Sequence, residues 1–334
     1  MTCKTSRVVA AGVALASLFG AGAALAQSGA EFFDGKTIRY IVATDPGGGY
    51  DTNGRLVVEF MQKYLPGSTF IVQNMPGAGH LIGANYIYAS EPDGLVLGTF
   101  NTGLIYGQLT GDAGVKFDLT KMSWIGKVSS DPRVFVVSKG SGITTFEQLR
   151  GSKEPVKFAT AGIGSASAIE TQMLIKALGL PIQVIDNYGG NEDQLAMRRG
   201  EVQGVVGFRS TFQKFVDEGH GHFIAQIGGT ETNVPQLADF ATNEEARKAV
   251  ALIQSQANIA RLTAGPPGIP DDRLDALRDA YAKVTADPEF VAKAKSLRLP
   301  VDPLAGQAVG DAVVKALDQP ADLVTFLKEA TSKK

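Results

Sequence analysis

Thr44-Asp45-Pro46-Gly47-Gly48-Gly49-Tyr50-Asp51 lies between an apolar run at 38–43 and a helical pattern over 53–64. A strand that empties into glycines and then into a helix makes a place for an anion. Glycine lets backbone approach a ligand closely, and the first amides of a helix have no partners within it. No Gly-Lys-Ser/Thr follows, so the loop is not a P-loop, and its glycines are not spaced Gly-x-Gly-x-x-Gly. The stretch therefore points to a carboxylate rather than a nucleotide.

Outward from this point the strand–loop–helix step repeats. Strands are expected over 38–43, 70–73 and 95–99, with helices over 53–64 and 82–89. A second series has strands at 133–138, 156–160, 182–185 and 202–206 and helices at 168–177 and 193–199. The short runs are rich in Val, Ile and Phe and bounded by Gly, Pro, Asp or Asn, as buried parallel strands are. Such alternation gives an α/β fold with helices on the sheet faces. Helices expected over 271–286, 288–297, 310–316 and 321–330 bring no new strands, so they should pack back on the first unit. With crossings near 128–132 and 255–262, residues 27–129 plus 260–334 form an expected lobe 1 and residues 130–259 lobe 2.

The N-terminus reads as a leader. Lys4 and Arg7 precede a charge-free apolar stretch over 8–25, and Ala24-Leu25-Ala26 is a small-x-small cleavage signal. This is the pattern of a secretory signal peptide over 1–26. Cys3, the one cysteine, leaves with it, so stability must come from a sizeable core and not from disulfides. Lys4 and Arg7 leave too, which takes the formal net charge from −2 to −4. There is no basic stripe to bind nucleic acid or an anionic membrane surface, and no later apolar run is long enough to span a bilayer.

In open sheets ligands bind outside the carboxyl ends of parallel strands. Five such ends carry small or polar residues, at 46–51, 74–79, 101–103, 160–167 and 188–193. One such loop alone is as readily a cap and a turn. Five divided between two units make a cleft. The candidate ligand contacts are Gly48, Gly49, Tyr50 and Asp51 in the first loop and Asn101 and Thr102 in the third. Ala161, Gly164, Ser165 and Ser167 follow in the fourth, Tyr188 in the fifth, and Arg209 just past the strand at 202–206.

Pro46-Gly47-Gly48-Gly49-Tyr50-Asp51, Asn74-Met75-Pro76-Gly77-Ala78-Gly79 and Glu91-Pro92-Asp93-Gly94 stand in an order and spacing that resembles one family. It is the substrate-binding proteins of the tripartite tricarboxylate transporters, the Bug family. Phe158–Ser165, Tyr188-Gly189-Gly190, Gly200-Glu201-Val202 and Gly265-Pro266-Pro267-Gly268-Ile269-Pro270 extend the likeness over nearly all of the chain after the leader. The resemblance implies a type II periplasmic-binding-protein fold, two α/β lobes, each a mixed, mostly parallel sheet flanked by helices. It implies a periplasmic, monomeric receptor, not an enzyme and without cofactor, that takes a small organic carboxylate and passes it to membrane subunits. Family members hold the carboxylate by backbone amides, small hydroxyls and ordered water, which suits these loops.

The chain also departs from the family pattern. Tyr50 stands where Thr or Ser is usual, Met75 where Arg is, and His80-Leu81 where Gly-Asn is; Ala168 replaces a His and Gly189 a Lys. The general site should survive with unusual specificity, Tyr50 either shrinking the pocket or stacking on a ring. Asp51 reads both as a helix N-cap and as an acceptor for ligand, and Arg209 both as a carboxylate fork and as a surface ion pair. In the expected clamp, Gly48, Gly49 and Asp51 face Gly164 and Ser165. His220 and His222 lack a third ligand for a metal. Two other readings are an exported hydrolase or lyase using Asp51 and a serine of 165–167 with His80 as base, and a transporter-independent sensor.

Overall fold

The computed structural model describes residues 29–332, and the expected leader over 1–26 lies outside them. The strands in chain order are β1 (Thr37–Val42), β2 (Thr69–Asn74), β3 (Val96–Phe100), β4 (Ser123–Lys127), β5 (Arg133–Ser138) and β6 (Val156–Ala159). They continue with β7 (Ile182–Ile185), β8 (Gly204–Phe208), β9 (Gly221–Ile227), β10 (Leu262–Gly265) and β11 (Leu304–Ala305). The helices are α1 (Gly49–Tyr64), α2 (Leu81–Tyr88), α3 (Gly103–Thr110), α4 (Phe146–Arg150), α5 (Ala166–Leu178) and α6 (Glu192–Arg199). After them come α7 (Arg209–Asp217), α8 (Glu244–Ala257), α9 (Asp271–Ala286), α10 (Pro288–Ser296), α11 (Gln307–Leu317) and α12 (Ala321–Thr331).

Two sheets result, one ordered β11-β4-β10-β3-β1-β2 and the other β7-β6-β8-β5-β9, each flanked by helices. β1 is parallel to β2 and β3, and β6 to β7 and β8. β10 runs antiparallel to β3 and β4, β11 to β4, and β5 to β8 and β9, so the sheets are mixed but not mostly parallel as expected. The reason is local: β5 and β10 each enter directly from the other lobe through a short link, and only a helical crossover obliges a parallel return. β10 and β11 are also strands in the last third, where none was expected. Leu262-Thr263-Ala264-Gly265 is too short and small to announce itself, and it is a strand because β3 and β4 bind it from both sides.

α1 shows why its sequence folds as it does. Leu56, Val57, Phe60 and Met61 recur at helical spacing and are buried against the first sheet. Gly54 lets the helix seat closely, since a Cβ there would lie 3.0 Å from Val42 Cγ2 and 3.2 Å from Tyr40 Cε1. Phe60 also meets Phe290 of α10 edge-on at 5.4 Å. The second lobe has its own core around Phe135, Phe146, Phe158 and Met173.

The two crossings lie side by side. Asp131 N donates to Ala257 O at 3.0 Å and Val128 N to Arg261 O at 3.3 Å, so the links between lobes are tied to each other. A third link was not expected. After α11, Leu323, Phe326 and Leu327 of α12 join a buried cluster that holds Ile169, Met173 and Leu174 of α5 and Tyr106 of α3, so the helix packs on elements of both lobes. The amphipathic period of 321–330 announces a helix but not which sheet it will cover.

Candidate ligand-binding site

A cavity of about 540 Å³ opens between the lobes at the ends of β1, β3, β6 and β8. Of the residues singled out in the sequence, Gly48, Gly49, Tyr50, Asn101, Ala161, Ser165 and Ser167 line it. Asp51, Thr102, Gly164, Tyr188 and Arg209 are not among its lining residues. Arg209 lies instead on a separate cleft with Glu231 and Arg298, where it ion-pairs with Glu231 at 3.8 Å.

Asp51 is occupied elsewhere. α1 begins four residues before the expected start, with Gly48 as its extended N-cap, so Asp51 sits inside the first turn. Its carboxylate accepts from Gly47 N at 2.9 Å, Arg55 Nε at 3.0 Å and Asn74 Nδ2 at 2.9 Å. Burial pushes the Asp51 carboxyl up, but these bonds together outweigh it and hold the pKa below its usual value. The residue braces the glycine loop against the end of β2.

The loops also meet in a different pairing from the expected one. Gly48 faces Gly190, where a Cβ would come within 3.3 Å of Gly190 Cα, and Asn191 Nδ2 donates to Gly47 O at 2.8 Å. Gly164 instead meets the second loop, because a Cβ on Gly79 would lie 2.6 Å from Gly164 C. Gly79 has φ 62°, between Ala78 at 47° and His80 at 79°. Three successive left-handed residues are costly wherever a side chain is present, and here they carry the turn into the opposite lobe.

The helix starts at the cavity differ in finish. At α5, Ser165 Oγ caps Ala168 N at 3.2 Å and meets Ser167 Oγ at 3.1 Å, which in turn accepts from Ala161 N at 3.1 Å. At α1 no side-chain hydrogen bond caps the helix among the described residues, and the amides of Gly49, Tyr50 and Asp51 precede the first bond within it, Thr52 N to Gly48 O. A cation stands beside them. A Cβ on Gly49 would lie 2.8 Å from Arg261 Nη2 and 2.7 Å from Thr211 Oγ1.

Arg261 and Arg133 are the cavity-lining residues that the sequence reading did not single out as site residues and that matter most. Arg133 is buried and lies 2.8 Å from Glu170 through Nε and again through Nη2. Burial holds the Glu170 carboxyl above its usual pKa, and the charge of Arg133 opposes that rise without cancelling it. Its guanidinium stacks 3.6 Å from the Phe208 ring centroid. Arg261 is only 1 % exposed and has a left-handed backbone, φ 60°. It stacks on Tyr50 at 4.4 Å and Phe208 at 4.7 Å, which is how Tyr50 fills its position: its ring packs on a cation. A charged residue inside the apolar run Ile259-Ala260-Arg261-Leu262 was the available signal.

Two further titratable groups line the cavity. His80 Nδ1 lies 3.0 Å from Ala43 O, which can only accept, so Nδ1 carries the proton. Burial pushes the ring's pKa down to about 4, so it is neutral at pH 7. Burial pushes Asp193 up to about 7. A base of pKa about 4, without a hydrogen bond to Ser165 or Ser167 among the described residues, is poorly matched to activate a serine. Among the described residues no group of three or more His, Cys, Asp or Glu could hold a metal, and no helix is long and apolar enough to cross a membrane.

The family model described as "Tripartite tricarboxylate transporter family receptor" matches residues 54–316. The chain belongs to this family. It is 25 % identical over 279 residues to a UPF0065 protein of Bordetella pertussis, covering 80 % of this chain and 82 % of that one. Among solved structures, the periplasmic binding protein BugD superposes with a TM-score of 0.75 at 20 % identity, over 88 % of this chain and 97 % of that one. MatC from Rhodopseudomonas palustris, solved with bound malate, gives 0.71 at 17 % identity, over 89 % and 99 %. At these identities the structural likenesses speak for the two-lobed fold. The receptor family and its fold are thus those that the sequence motifs implied.

Proposed function

We propose that this receptor-family protein captures a small organic carboxylate between its lobes in the periplasm and delivers it, as a monomer, to the membrane subunits of a tripartite tricarboxylate-type transporter. The observation that carries the reading is the cavity between the lobes, with helix starts α1 and α5 presenting backbone amides on its walls. Gly48, Gly49, Tyr50, Asn101, Ala161, Ser165 and Ser167 are the proposed contacts. Asp51 and Gly164 act one step removed, by bracing the loop and by letting the lobes approach.

Ligand bridges both lobes, so binding favours the closed arrangement and closure is a hinge motion at the tied crossings. The malate bound to MatC supports a carboxylate as the ligand class. Among the described residues that line the cavity, Ser165 and Ser167 have no hydrogen bond from a histidine base, which supports binding without turnover. The test is a thermal-shift panel of aliphatic and aromatic carboxylates on the protein without its leader, followed by recovery of the ligand. A ligand at a hundred times its Kd should stabilise the fold by about 2.7 kcal/mol, raising Tm by about 5 °C or more. Chemical conversion of the ligand, or no shift with any member, contradicts the reading.

A further inference from the structure

We infer that Arg261 is the specificity-determining residue of the cavity and that it takes the second carboxylate of a dicarboxylate whose first is held at the start of α5. The inference rests on the receptor reading above and names the ligand class of that same site.

Arg261 is an incompletely paired cation. Nη2 makes contacts near the limit of hydrogen bonding, 3.4 Å to Asp131 Oδ2, 3.3 Å to Ser210 Oγ and 3.4 Å to Thr211 Oγ1. Asp131 spends its stronger bonds on Ser210, at 2.5 Å to Oγ and 3.2 Å to N. Nε and Nη1 have no hydrogen-bond partner among the described residues, although the side chain is 1 % exposed. Buried N–H groups on a charged side chain are costly to leave unmatched. Arg133, buried to a similar degree and stacked on the same Phe208 ring, has a carboxylate 2.8 Å from two of its nitrogens, with Nη2 donating a hydrogen bond and Nε in charge contact only.

The position supplies the rest. Nη1 lies 3.3 Å from where a Cβ of Gly49 would be, so it stands at the uncapped start of α1. A cation beside the positive end of a helix is unfavourable unless an anion joins them. The start of α5 belongs to a different neighbourhood. A Cβ on Gly103 would lie 2.7 Å from Ala166 N, so α5 opens against α3 and the 78–80 turn, whereas α1 opens against Gly190, Thr211 and Arg261. Two donor clusters thus share one cavity, and Val205, Phe208 and Phe212 also line it. That is the pattern for two carboxylates joined by an apolar chain.

The experiment is calorimetric titration of the wild-type protein, R261M and G49A with straight-chain α,ω-dicarboxylates of four to eight carbons and the monocarboxylates of equal length. The wild type should prefer a diacid over its matching monoacid by about tenfold or more, the scale of one charge-assisted hydrogen bond. R261M should lower that preference to about twofold or less. G49A is the second variant, because its methyl would displace Nη2 without removing the charge, and it should lower the preference too. Wild type that binds both series equally, or variants that keep the wild-type preference, overturn the inference and leave the receptor reading standing. Wild type that binds neither series overturns both.

Discussion

Arg133 and Arg261 are both buried, both stack on Phe208 and both line the cavity, yet a carboxylate lies much closer to one than to the other. Arg133 has Glu170 2.8 Å from two nitrogens, Nη2 in a hydrogen bond and Nε in charge contact only, and Tyr106 Oη donates to the same carboxylate at 3.2 Å. Arg261 has one carboxylate oxygen at 3.4 Å and two nitrogens without partners among the described residues. The helix starts beside them differ in the same sense. α5, which carries Glu170, is capped by its own Ser165, while α1 has no side-chain cap. The α5 side is the more fully paired by the protein's own groups, and the α1 side leaves more for a ligand to complete.

The largest expected effect lies on the more fully paired side. Glu170→Ala would leave Arg133 buried and unpaired, and should cost ~3–5 kcal/mol in denaturant unfolding. Arg261→Met should cost roughly half as much or less in the absence of ligand, because the group it removes is already poorly paired. Equal losses for the two variants would erase the distinction.

Next in size is a pH effect. Asp193 has its folded pKa raised to about 7 from 3.8, so its contribution to stability is complete below pH 3.8 and is lost as pH rises through 7. Asp193→Asn should therefore raise Tm by a few degrees at pH 8 and have little effect near pH 4. His80 has its folded pKa lowered to about 4 from 6.5, so its contribution is complete above pH 6.5 and lost as pH falls toward 4. In the wild type the two slopes oppose each other between pH 4 and 6.5. Melting of the variant against the wild type across this range separates them, and a pH-independent difference would contradict the assignment to Asp193.

The smallest expected effect is at the α5 cap. Ser165→Ala removes the bond to Ala168 N and should destabilise by about 1 kcal/mol. Unchanged stability would mean that α5 is no more finished than α1.

Much of the fold and part of the site are legible in the chain itself. The Gly47–Gly49 loop, the 160–167 loop and the alternation of apolar runs imply an α/β chain with a cleft at strand ends, because those signals are local. Asp51 is legible only as a loop carboxylate; its engagement by Asn74 depends on β1 lying beside β2. Arg133 and Arg261 are far apart in the chain and share one aromatic ring only because the two crossings run together. α12 likewise shows a helical period, but its seat against both α3 and α5 is set by the partners of Leu323 and Phe326. Pairing across the fold is a tertiary fact, and no window of sequence contains it.

If the cavity is finished by a carboxylate, it should bind one and return it unchanged. Isothermal titration with the carboxylate giving the largest thermal shift, followed by mass analysis of the recovered ligand, puts both halves of that statement to the test. Saturable binding of one molecule per chain and full recovery of the intact carboxylate are the expected results. Absence of saturable heat, or recovery of a transformed product, would contradict it.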